Sequence, residues 1–356
     1  MSRLFIYVVI PCLNEEETLR DTCRSLGFGD NCDPAKDAVL ILVDNGSEDR
    51  TQSVAQQIQN SAPADTIVLA QEQERGYVPA RSRGCNVAAG LANMRGVAED
   101  TVLLVQADAD TTYSAGYLES MRQAALSYNG GAIFECCMEW PSDFIAQHPN
   151  YIALCDQVDQ EYESLLSNNP DDVVIDDKSC AYRLSDYRQW GGHQREFTPR
   201  GDEVYSETTR LYLRAKAHGA QRYFCEAAVA RHSARRILNE PALSFATAGF
   251  PRETAFRAAW ERTYDGPLTV ADFANPALRP NIRLAIAARQ AHLGGLFHAL
   301  PLHVAQALGR QTRNSTIRDN DFLGLPKRSL ETLRNQPAIF LEDIFQRIDQ
   351  IVFGEL

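Results

Sequence analysis

The chain has 356 residues, of which 44% are hydrophobic, and this is typical of a folded protein with one large or two ordinary domains. Its 35 Lys and Arg residues stand against 47 Asp and Glu residues, and the net charge of −12 argues against a broad surface for nucleic acid or anionic lipid. Local groups must therefore bind any anionic substrate.

Cysteine usage and the N-terminal sequence bear on the cellular compartment. The nine cysteines occur at irregular spacings without a Cys-x-x-Cys pair, as expected for reduced thiols in the cytosol. Residues 1–11 lack the basic region and cleavage site of a signal peptide. No apolar run reaches the roughly 18 residues that span a bilayer. We expect a soluble cytoplasmic protein.

In the first half of the chain, short apolar strands alternate with amphipathic helical patterns. Strands are predicted at residues 5–10, 39–43, 66–69, 102–105 and 132–137. Helices are predicted at residues 15–26, 50–60, 80–94 and 115–127. This alternation predicts an α/β fold with a doubly wound, mostly parallel sheet. Ligands of such sheets bind outside the carboxyl ends of the strands.

The second half of the chain is less regular. The pattern loosens over residues 140–200, which include an acidic run at 171–177. A helix is then predicted at 203–217 and a short strand at 222–225, followed by a basic stretch at 231–236. Residues from about 245 to the end indicate a mainly helical region with Pro-marked breaks.

Two carboxylates follow the apolar run at residues 102–105. Residues i and i+2 of an extended segment project to the same side, so Asp108 and Asp110 can face one ligand. A hard divalent cation is commonly held by one or two carboxylates together with substrate phosphates. The pair therefore predicts a metal and a nucleotide, and a solvated acidic turn is the alternative interpretation of so short a motif.

Asp44 ends another predicted strand and is followed by an Asn-Gly turn signal. A carboxylate in this position can accept the N–H of a pyrimidine ring. The alternative is an Asx turn, in which the side chain only caps its own loop.

Three segments occur in an order that resembles the family-2-type inverting glycosyltransferases with the glycosyltransferase-A fold. They are VIPCLNEE at 9–16, VDNGSEDRT at 43–51 and DAD at 108–110. The resemblance covers residues 4–236. It implies a catalytic domain at 1–240, with a nucleotide-binding half at about 1–112 and an acceptor half at about 113–240. Residues 241–356 are expected to form a mainly helical region that packs on that domain.

The resemblance also implies residues that bind the donor. It makes Pro11, Leu13 and Glu15 neighbours of the nucleotide, although Asn14 and Glu17 also read as a helix capping box. Arg81 resembles the family's arginine beneath the nucleotide, where it would bind diphosphate or ribose by charge-assisted hydrogen bonds.

The same resemblance implies a metal site. Asp108 would approach the ribose, Asp110 would bind the metal, and His232 follows the last short strand, as a third ligand does in part of the family. An ordinary surface histidine is the alternative. The cofactor would be Mn²⁺ or Mg²⁺, acting as a Lewis acid on the departing diphosphate, and an imidazole ligand favours Mn²⁺.

The resemblance places an acidic pair just before the predicted helix at 203–217. The family usually has Glu-Asp there, whereas this chain has Asp202 followed by Glu203. An inverting displacement needs one carboxylate to take the proton of the acceptor hydroxyl. By position Glu203 is the expected base and Asp202 the alternative, while acids at a helix N-terminus are also common for structural reasons.

Further residues could contact the acceptor or the diphosphate. Trp190 precedes a Gly-Gly segment and could stack on a sugar ring, but a buried structural Trp is an equally good interpretation. Arg235 and Arg236 could bind diphosphate or an anionic acceptor, although two residues adjacent in sequence seldom both face one site.

These observations predict a metal-dependent, hexosyl-transferring enzyme that moves a sugar from a nucleoside diphosphate sugar, with a UDP-sugar expected, to an acceptor hydroxyl. The Gln-x-x-Arg-Trp signature of processive synthases is missing, which favours non-processive transfer. The alternatives are a sugar-1-phosphate nucleotidylyltransferase, a glycosidase, and an inactive nucleotide-sugar-binding protein. The acceptor and the oligomeric state stay open.

Overall fold

A computed structural model of the chain describes residues 3–30, 32, 34–166, 171–198, 201–263, 268–274, 280–310 and 324–354. The chain divides into two compact units, each assembled from three segments. The first unit comprises Met1–Glu139, Ile175–Arg195 and Glu207–Ser233, and the second comprises Trp140–Val174, Glu196–Ser206 and Ala234–Leu356. The boundary expected near residue 240 stays a prediction.

The first unit contains a mixed sheet, which has eight strands in the described residues. The strands are β1 (Phe5–Cys12), β2 (Ala38–Asp44), β3 (Ile67–Gln71), β4 (Val102–Gln106), β5 (Thr111–Tyr113), β6 (Ala132–Glu139), β7 (Cys180–Arg183) and β8 (Gln221–His232). Their spatial order is β3-β2-β1-β4-β7-β6-β8-β5. Strands β1 to β4 pair in parallel, β6 and β8 also pair in parallel, and β7 and β5 join antiparallel to their neighbours. The predicted α/β class is confirmed.

Helices surround the sheet of the first unit and make up most of the second. In chain order they are α1 (Leu19–Ser25), α2 (Thr51–Ser61), α3 (Tyr77–Met94), α4 (Tyr117–Leu126), α5 (Ser142–Gln147), α6 (Pro149–Asp159), α7 (Glu163–Leu166), α8 (Leu184–Gln189), α9 (Glu207–Ala217), α10 (Arg235–Asn239), α11 (Pro241–Ala246), α12 (Thr254–Thr263), α13 (Pro280–Leu293), α14 (Leu300–Ala307), α15 (Leu330–Asn335) and α16 (Ala338–Phe353). A π-helical turn, Gly294–Ala299, joins α13 to α14.

The centre of the sheet explains why the first strands read as unbroken apolar runs. Val8 of β1 lies opposite Leu40 of β2 on one side and Val105 of β4 on the other, and all three are 0% exposed. Strands covered on both faces do not alternate polar and apolar residues. Burial on both faces therefore explains the apolar runs in the sequences of β1, β2 and β4.

Local backbone geometry shortens two predicted helices. The helix expected from residue 15 begins at Leu19, after Asn14 with a left-handed φ of 57° and a turn at residues 16–18. Its side chain accepts from Glu48 N at 2.8 Å, so the Asn14–Glu17 capping box does not form. The helix expected from residue 203 begins at Glu207, directly after Ser206 with a φ of 63°. Single left-handed residues interrupt a right-handed helix.

The second unit is held by an aromatic core and by buried arginines. Tyr151 packs edge-on against Phe245 and Phe273. Arg289 donates to both carboxylate oxygens of Asp159 at 2.6 Å. The expected helical character of the C-terminal part is confirmed. None of the helices in the described ranges combines the length and hydropathy that crossing a bilayer requires.

We expect opposite effects from alanine at two glycines of α3. A Cβ at Gly84 would collide with Val9 Cγ1 and lie 3.2 Å from Val43 Cγ2, whereas a Cβ at Gly90 would meet nothing within 4 Å. Gly84→Ala should lower the free energy of unfolding by about 1–3 kcal/mol through overpacking. Gly90→Ala should raise it by about 0.5–1 kcal/mol through helix propensity. Urea denaturation of the two variants tests this, and equal effects would contradict the packing of α3 on β1.

Candidate active site

The carboxyl ends of β1, β2 and β4 meet at one edge of the sheet. Cys12 lies opposite Asp44 in the parallel register of β1 and β2, and Val9 lies opposite Gln106 in that of β1 and β4. The loops after these strands therefore leave the sheet side by side. Polar residues in these loops can face a common ligand, as is usual for open α/β sheets.

Asp44 lines a pocket at this edge. The pocket has a volume of about 620 Å³, and Gln52, Gln71 and Arg83 also line it. The Asp44 carboxylate accepts from Gln52 Nε2 at 2.7 Å and from the N–H groups of Gly46 and Ser47 at 3.2 and 3.3 Å. The Asx-turn contacts thus exist, and they hold a carboxylate at the wall of a cavity.

Asn45 fixes the rim of this pocket, a role that the sequence pattern did not reveal. Its side chain is buried and donates to the carbonyl oxygens of Glu72 and Glu74 at 3.1 and 2.7 Å. It also accepts from Gly76 N at 2.9 Å, directly before α3. One amide therefore links the end of β2 to the loop that opens α3.

The segment after β1 lies along the loop that precedes α2. Glu15 N donates to Thr51 Oγ1 at 2.7 Å, and the Glu15 carboxylate accepts from Thr18 Oγ1 at 2.9 Å. Leu13 is 41% exposed, and Pro11 is half-buried in β1. The structure places these three residues at the same sheet edge as Asp44, and their contact with a nucleotide stays a prediction.

Arg81 is the centre of a buried ion network. Its side chain is 2% exposed. Its guanidinium donates to Asp108 Oδ1 at 2.5 Å, to Glu207 Oε1 at 3.0 Å and to Gln106 Oε1 at 3.4 Å. Burial by itself would lower the pKa of this guanidinium, but the surrounding carboxylates of Asp108, Asp177 and Glu207 raise it well above its usual value. The structure thus makes Arg81 a support for Asp108, and its contact with diphosphate or ribose stays a prediction.

The loop that carries Asp108 is anchored at several points. Asp108 N donates to the Tyr113 hydroxyl at 3.2 Å, and that hydroxyl donates to the carbonyl of Lys178 at 3.0 Å. The carbonyl of Ala109 accepts from Thr22 Oγ1 at 2.9 Å. The Asp108 side chain is nevertheless 31% exposed, so its position is fixed while it still faces solvent.

The predicted metal ligands lie at the same end of the first unit. His232 ends β8 opposite Thr111, the residue that follows Asp110. Among the described residues no three His, Cys, Asp or Glu side chains form a ready metal cluster. The set Asp108, Asp110 and His232 stays a prediction, and its carboxylate and imidazole donors have the chemistry that Mn²⁺ or Mg²⁺ accepts.

Two neighbouring residues, Asp176 and Lys178, extend the site beyond the sequence prediction. Lys178 Nζ lies 2.8 Å from Asp176 Oδ1, and both side chains are partly exposed. Burial raises the pKa of Asp176, but Lys178, with a smaller effect from His232, brings it below its usual value. Asp176 belongs to the acidic run at 171–177, and Lys178 follows it. No local sequence pattern shows which residues of this run lie at the site.

Asp177 and Glu207 complete the charged cluster. Asp177 is half-buried, and its Oδ1 accepts from Thr208 N at 3.1 Å in the first turn of α9. Burial, followed by the charge of Glu207, raises the pKa of Asp177 to about 7, against the opposing effect of Arg81. Glu207 and Arg81 are 126 residues apart in sequence, which is why sequence patterns did not connect them.

The other predicted site residues have different surroundings. Asp202 and Glu203 belong to the second unit, where Glu203 forms a bridge with Phe197 and Asp202 N donates to Thr198 Oγ1 at 3.2 Å. Arg235 and Arg236 also belong to the second unit, in the first turn of α10, where Arg236 is exposed.

Trp190 is buried in the first unit. Its ring is 2% exposed and packs edge-on against Tyr182, and its carbonyl accepts from Arg214 Nε at 3.0 Å. This environment favours the structural interpretation of Trp190 over stacking on a sugar.

Comparison with known proteins adds a family and a fold. Residues 7–190 match the family model described as glycosyl transferase family 2. Among solved structures, the chain is similar to the mannosyltransferase PcManGT from Pyrobaculum calidifontis in complex with GDP-Man and Mn²⁺. The identity is 15% and the TM-score 0.51, with 99% of this chain and 88% of that chain covered. No curated protein matches the sequence significantly.

Two further structures are similar at lower scores. S. aureus TarS, residues 1–349, is 14% identical with a TM-score of 0.43, and the match covers 98% of this chain and 82% of that chain. Glucosyl-3-phosphoglycerate synthase from Mycobacterium tuberculosis, in complex with Mn²⁺, UDP and glucosyl-3-phosphoglycerate, is 16% identical with a TM-score of 0.38. That match covers 70% of this chain and 81% of that one. At sequence identities this low, structural similarity shows the fold alone.

We expect Arg81→Met to lower the free energy of unfolding by about 3–5 kcal/mol, because it leaves a buried carboxylate without its counter-charge. Most of this destabilisation should come from Glu207, because its side chain is only 5% exposed and would lose its buried counter-charge. Arg83→Ala, at an exposed position in the same helix, is the matched control and should change stability by less than about 0.5 kcal/mol. Urea denaturation of both variants is the measurement, and similar losses would contradict the network.

Proposed function

Because this chain belongs to glycosyl transferase family 2 and is a glycosyltransferase, we propose that it is a metal-dependent inverting enzyme. It would move a sugar from a nucleoside diphosphate sugar to an acceptor hydroxyl, one residue at a time. The observation that carries this proposal is the partly exposed Asp108, held by buried Arg81 at the carboxyl end of β4. A fold alone does not specify a function, whereas the groups at a site do.

The donor base is proposed from Asp44. A carboxylate can accept the ring N–H of uracil, and it can equally accept N–H groups of guanine. The sequence favours a UDP-sugar, whereas PcManGT is in complex with GDP-Man and Mn²⁺, which favours guanosine as the second candidate. Pro11, Leu13 and Glu15 would flank the base or ribose at the same sheet edge.

The metal is proposed to be held by Asp110, with Asp108 and His232 as further ligands. When bound, a divalent cation would neutralise the negative charge that develops on the departing diphosphate. Arg81 supports this arrangement from beneath, because its guanidinium fixes one oxygen of Asp108 and leaves the side chain open to solvent. Mn²⁺ in the structure of PcManGT supports the same choice of metal.

Residues proposed from sequence for the acceptor side are Glu203 or Asp202 as the proton acceptor and Arg235 and Arg236 as anion contacts. All four lie in the second unit. Family membership favours sugar transfer over transfer of a nucleotidyl group, and measurement of turnover distinguishes an enzyme from an inactive binding protein.

The first test is nucleotide binding by calorimetry. Wild type should bind one of UDP, GDP, TDP or CMP, and addition of Mn²⁺ should raise that affinity. Asp110→Ala should remove the metal-dependent part, at about 10-fold to 100-fold in affinity, because the cation would lose a carboxylate ligand.

The control for this test is Asp100→Ala, which removes an exposed carboxylate elsewhere in the first unit and should leave binding unchanged. Metal-independent binding, or binding that survives Asp110→Ala intact, would contradict the proposed metal site. If wild type binds none of the four nucleotides, the proposed function itself fails.

A second test addresses Asp44. Asp44→Asn should weaken binding of the preferred nucleotide about 10-fold, because a charge-assisted hydrogen bond to the base becomes neutral. Its affinity for CDP should not fall, since cytosine N3 has no hydrogen for the carboxylate and can instead accept from the amide N–H of the asparagine. Calorimetry of both nucleotides measures the difference, and an equal loss for the two would point to a collapsed pocket.

A further inference from the structure

An inverting displacement makes specific demands on its proton acceptor. The group must be a carboxylate that faces the substrate, since a proton is transferred over hydrogen-bond distance. It must also keep a lone pair that no strong ion pair occupies. Besides Asp108, three carboxylates stand in the charged cluster of the first unit: Asp176, Asp177 and Glu207.

Two of the three are committed to cations. The Glu207 side chain is 5% exposed, and its Oε1 accepts from Arg81 Nε at 3.0 Å. The Asp176 carboxylate accepts both the backbone N–H and the Nζ of Lys178, at 3.1 and 2.8 Å. A carboxylate already paired with a cation is a weak base, because protonation breaks the pair.

Asp177 is placed differently. Within the described residues, its carboxylate accepts one hydrogen bond, from Thr208 N at 3.1 Å, and this bond fixes one oxygen while the side chain stays half-buried. No cation in that part of the chain bonds to it directly, although Arg81 and Glu207 both act on it electrostatically. The raised pKa of Asp177 described above agrees with this placement.

The Tyr113 hydroxyl links the segment that carries Asp177 to the Asp-x-Asp loop. The next residue, Lys178, accepts from the Tyr113 hydroxyl, which in turn accepts from Asp108 N. Arg81 is close enough to Asp108, Asp177 and Glu207 for all three charges to act on its guanidinium. The donor-binding acid and Asp177 are therefore parts of one network in one unit.

We propose that Asp177, in place of Glu203 or Asp202, is the catalytic base of the transfer, an assignment that rests on the proposed function. The free oxygen of its carboxylate accepts the proton of the acceptor hydroxyl. That hydroxyl oxygen forms its bond to the anomeric carbon, and the bond from this carbon to the diphosphate oxygen breaks. The electron pair leaves with the nucleoside diphosphate, and the proton passes from Asp177 to water.

The substrate is the nucleotide sugar whose nucleotide part binds to wild type. The experiment measures release of nucleoside diphosphate from this substrate. Water serves as the hydroxyl nucleophile, and parallel reactions contain azide, which needs no deprotonation to attack the anomeric carbon. The variants are Asp177→Asn, Asp202→Asn and Glu203→Gln, with Asp100→Asn as the matched surface control. Asn at 177 keeps an oxygen for Thr208 N, so the fold should be preserved, and thermal unfolding checks this.

We expect Asp177→Asn to lower kcat with water by about 100-fold or more, the usual range for loss of a general base. Nucleotide affinity and the KM for the donor should stay within about 2-fold of wild type, and azide should restore turnover with inversion at the anomeric carbon. Asp100→Asn should retain turnover, and Asp202→Asn and Glu203→Gln test the two residues proposed from the sequence.

Turnover of Asp177→Asn close to that of wild type overturns the assignment. A loss that azide does not relieve also overturns it, since such a loss indicates a structural role. If Glu203→Gln or Asp202→Asn instead shows the loss and the azide rescue, that residue is the base. Failure of the proposed function gives a different result from failure of this assignment. In that case wild type itself would neither bind nucleotide with metal nor release nucleoside diphosphate.

Discussion

The buried guanidinium of Arg81 constrains the whole polar end of the first unit. A cation that is 2% exposed has lost most of its hydration, and the cost of several kcal/mol must be offset by anionic partners in good geometry. Those partners come from the end of β4 and the start of α9, two elements far apart in sequence. Charge neutrality therefore dictates where they meet. Because one partner is Asp108, the geometry of the proposed donor site depends on the same balance.

The parts of this architecture that sequence could predict have local causes. Strands β1, β2 and β4 are covered on both faces, so their burial appears as unbroken apolar runs. Asp44 and Asp108 follow such runs directly, and strand ends of a parallel sheet are where ligands bind. Their place at one edge of the sheet could therefore be inferred from the order of residues alone. The family resemblance rested on the same segments, and residues 7–190 match the family.

The parts that could not be predicted depend on contacts between distant segments or on single backbone angles. Strands β5 and β7 are too short to show a period, and they form because β8, β4 and β6 offer edges to them. The sequence pattern around residues 202 and 203 predicts the start of a helix. The left-handed φ of Ser206 moves that start to Glu207, which carries the buried charge instead. No pattern around Asp177 reveals its link to α9.

The interleaved order of the sheet has a consequence for synthesis. Strand β7 fills the space between β4 and β6, yet it follows β6 in the chain, and β5 waits for β8, more than a hundred residues later. As the chain leaves the ribosome, β1 to β4 can pair at once, while one edge of β4 stays open until Cys180–Arg183 emerges. An unpaired central edge invites pairing with other chains. Completion of this sheet thus waits until His232 has been synthesised, and a nascent chain stalled before β7 is exposed to aggregation.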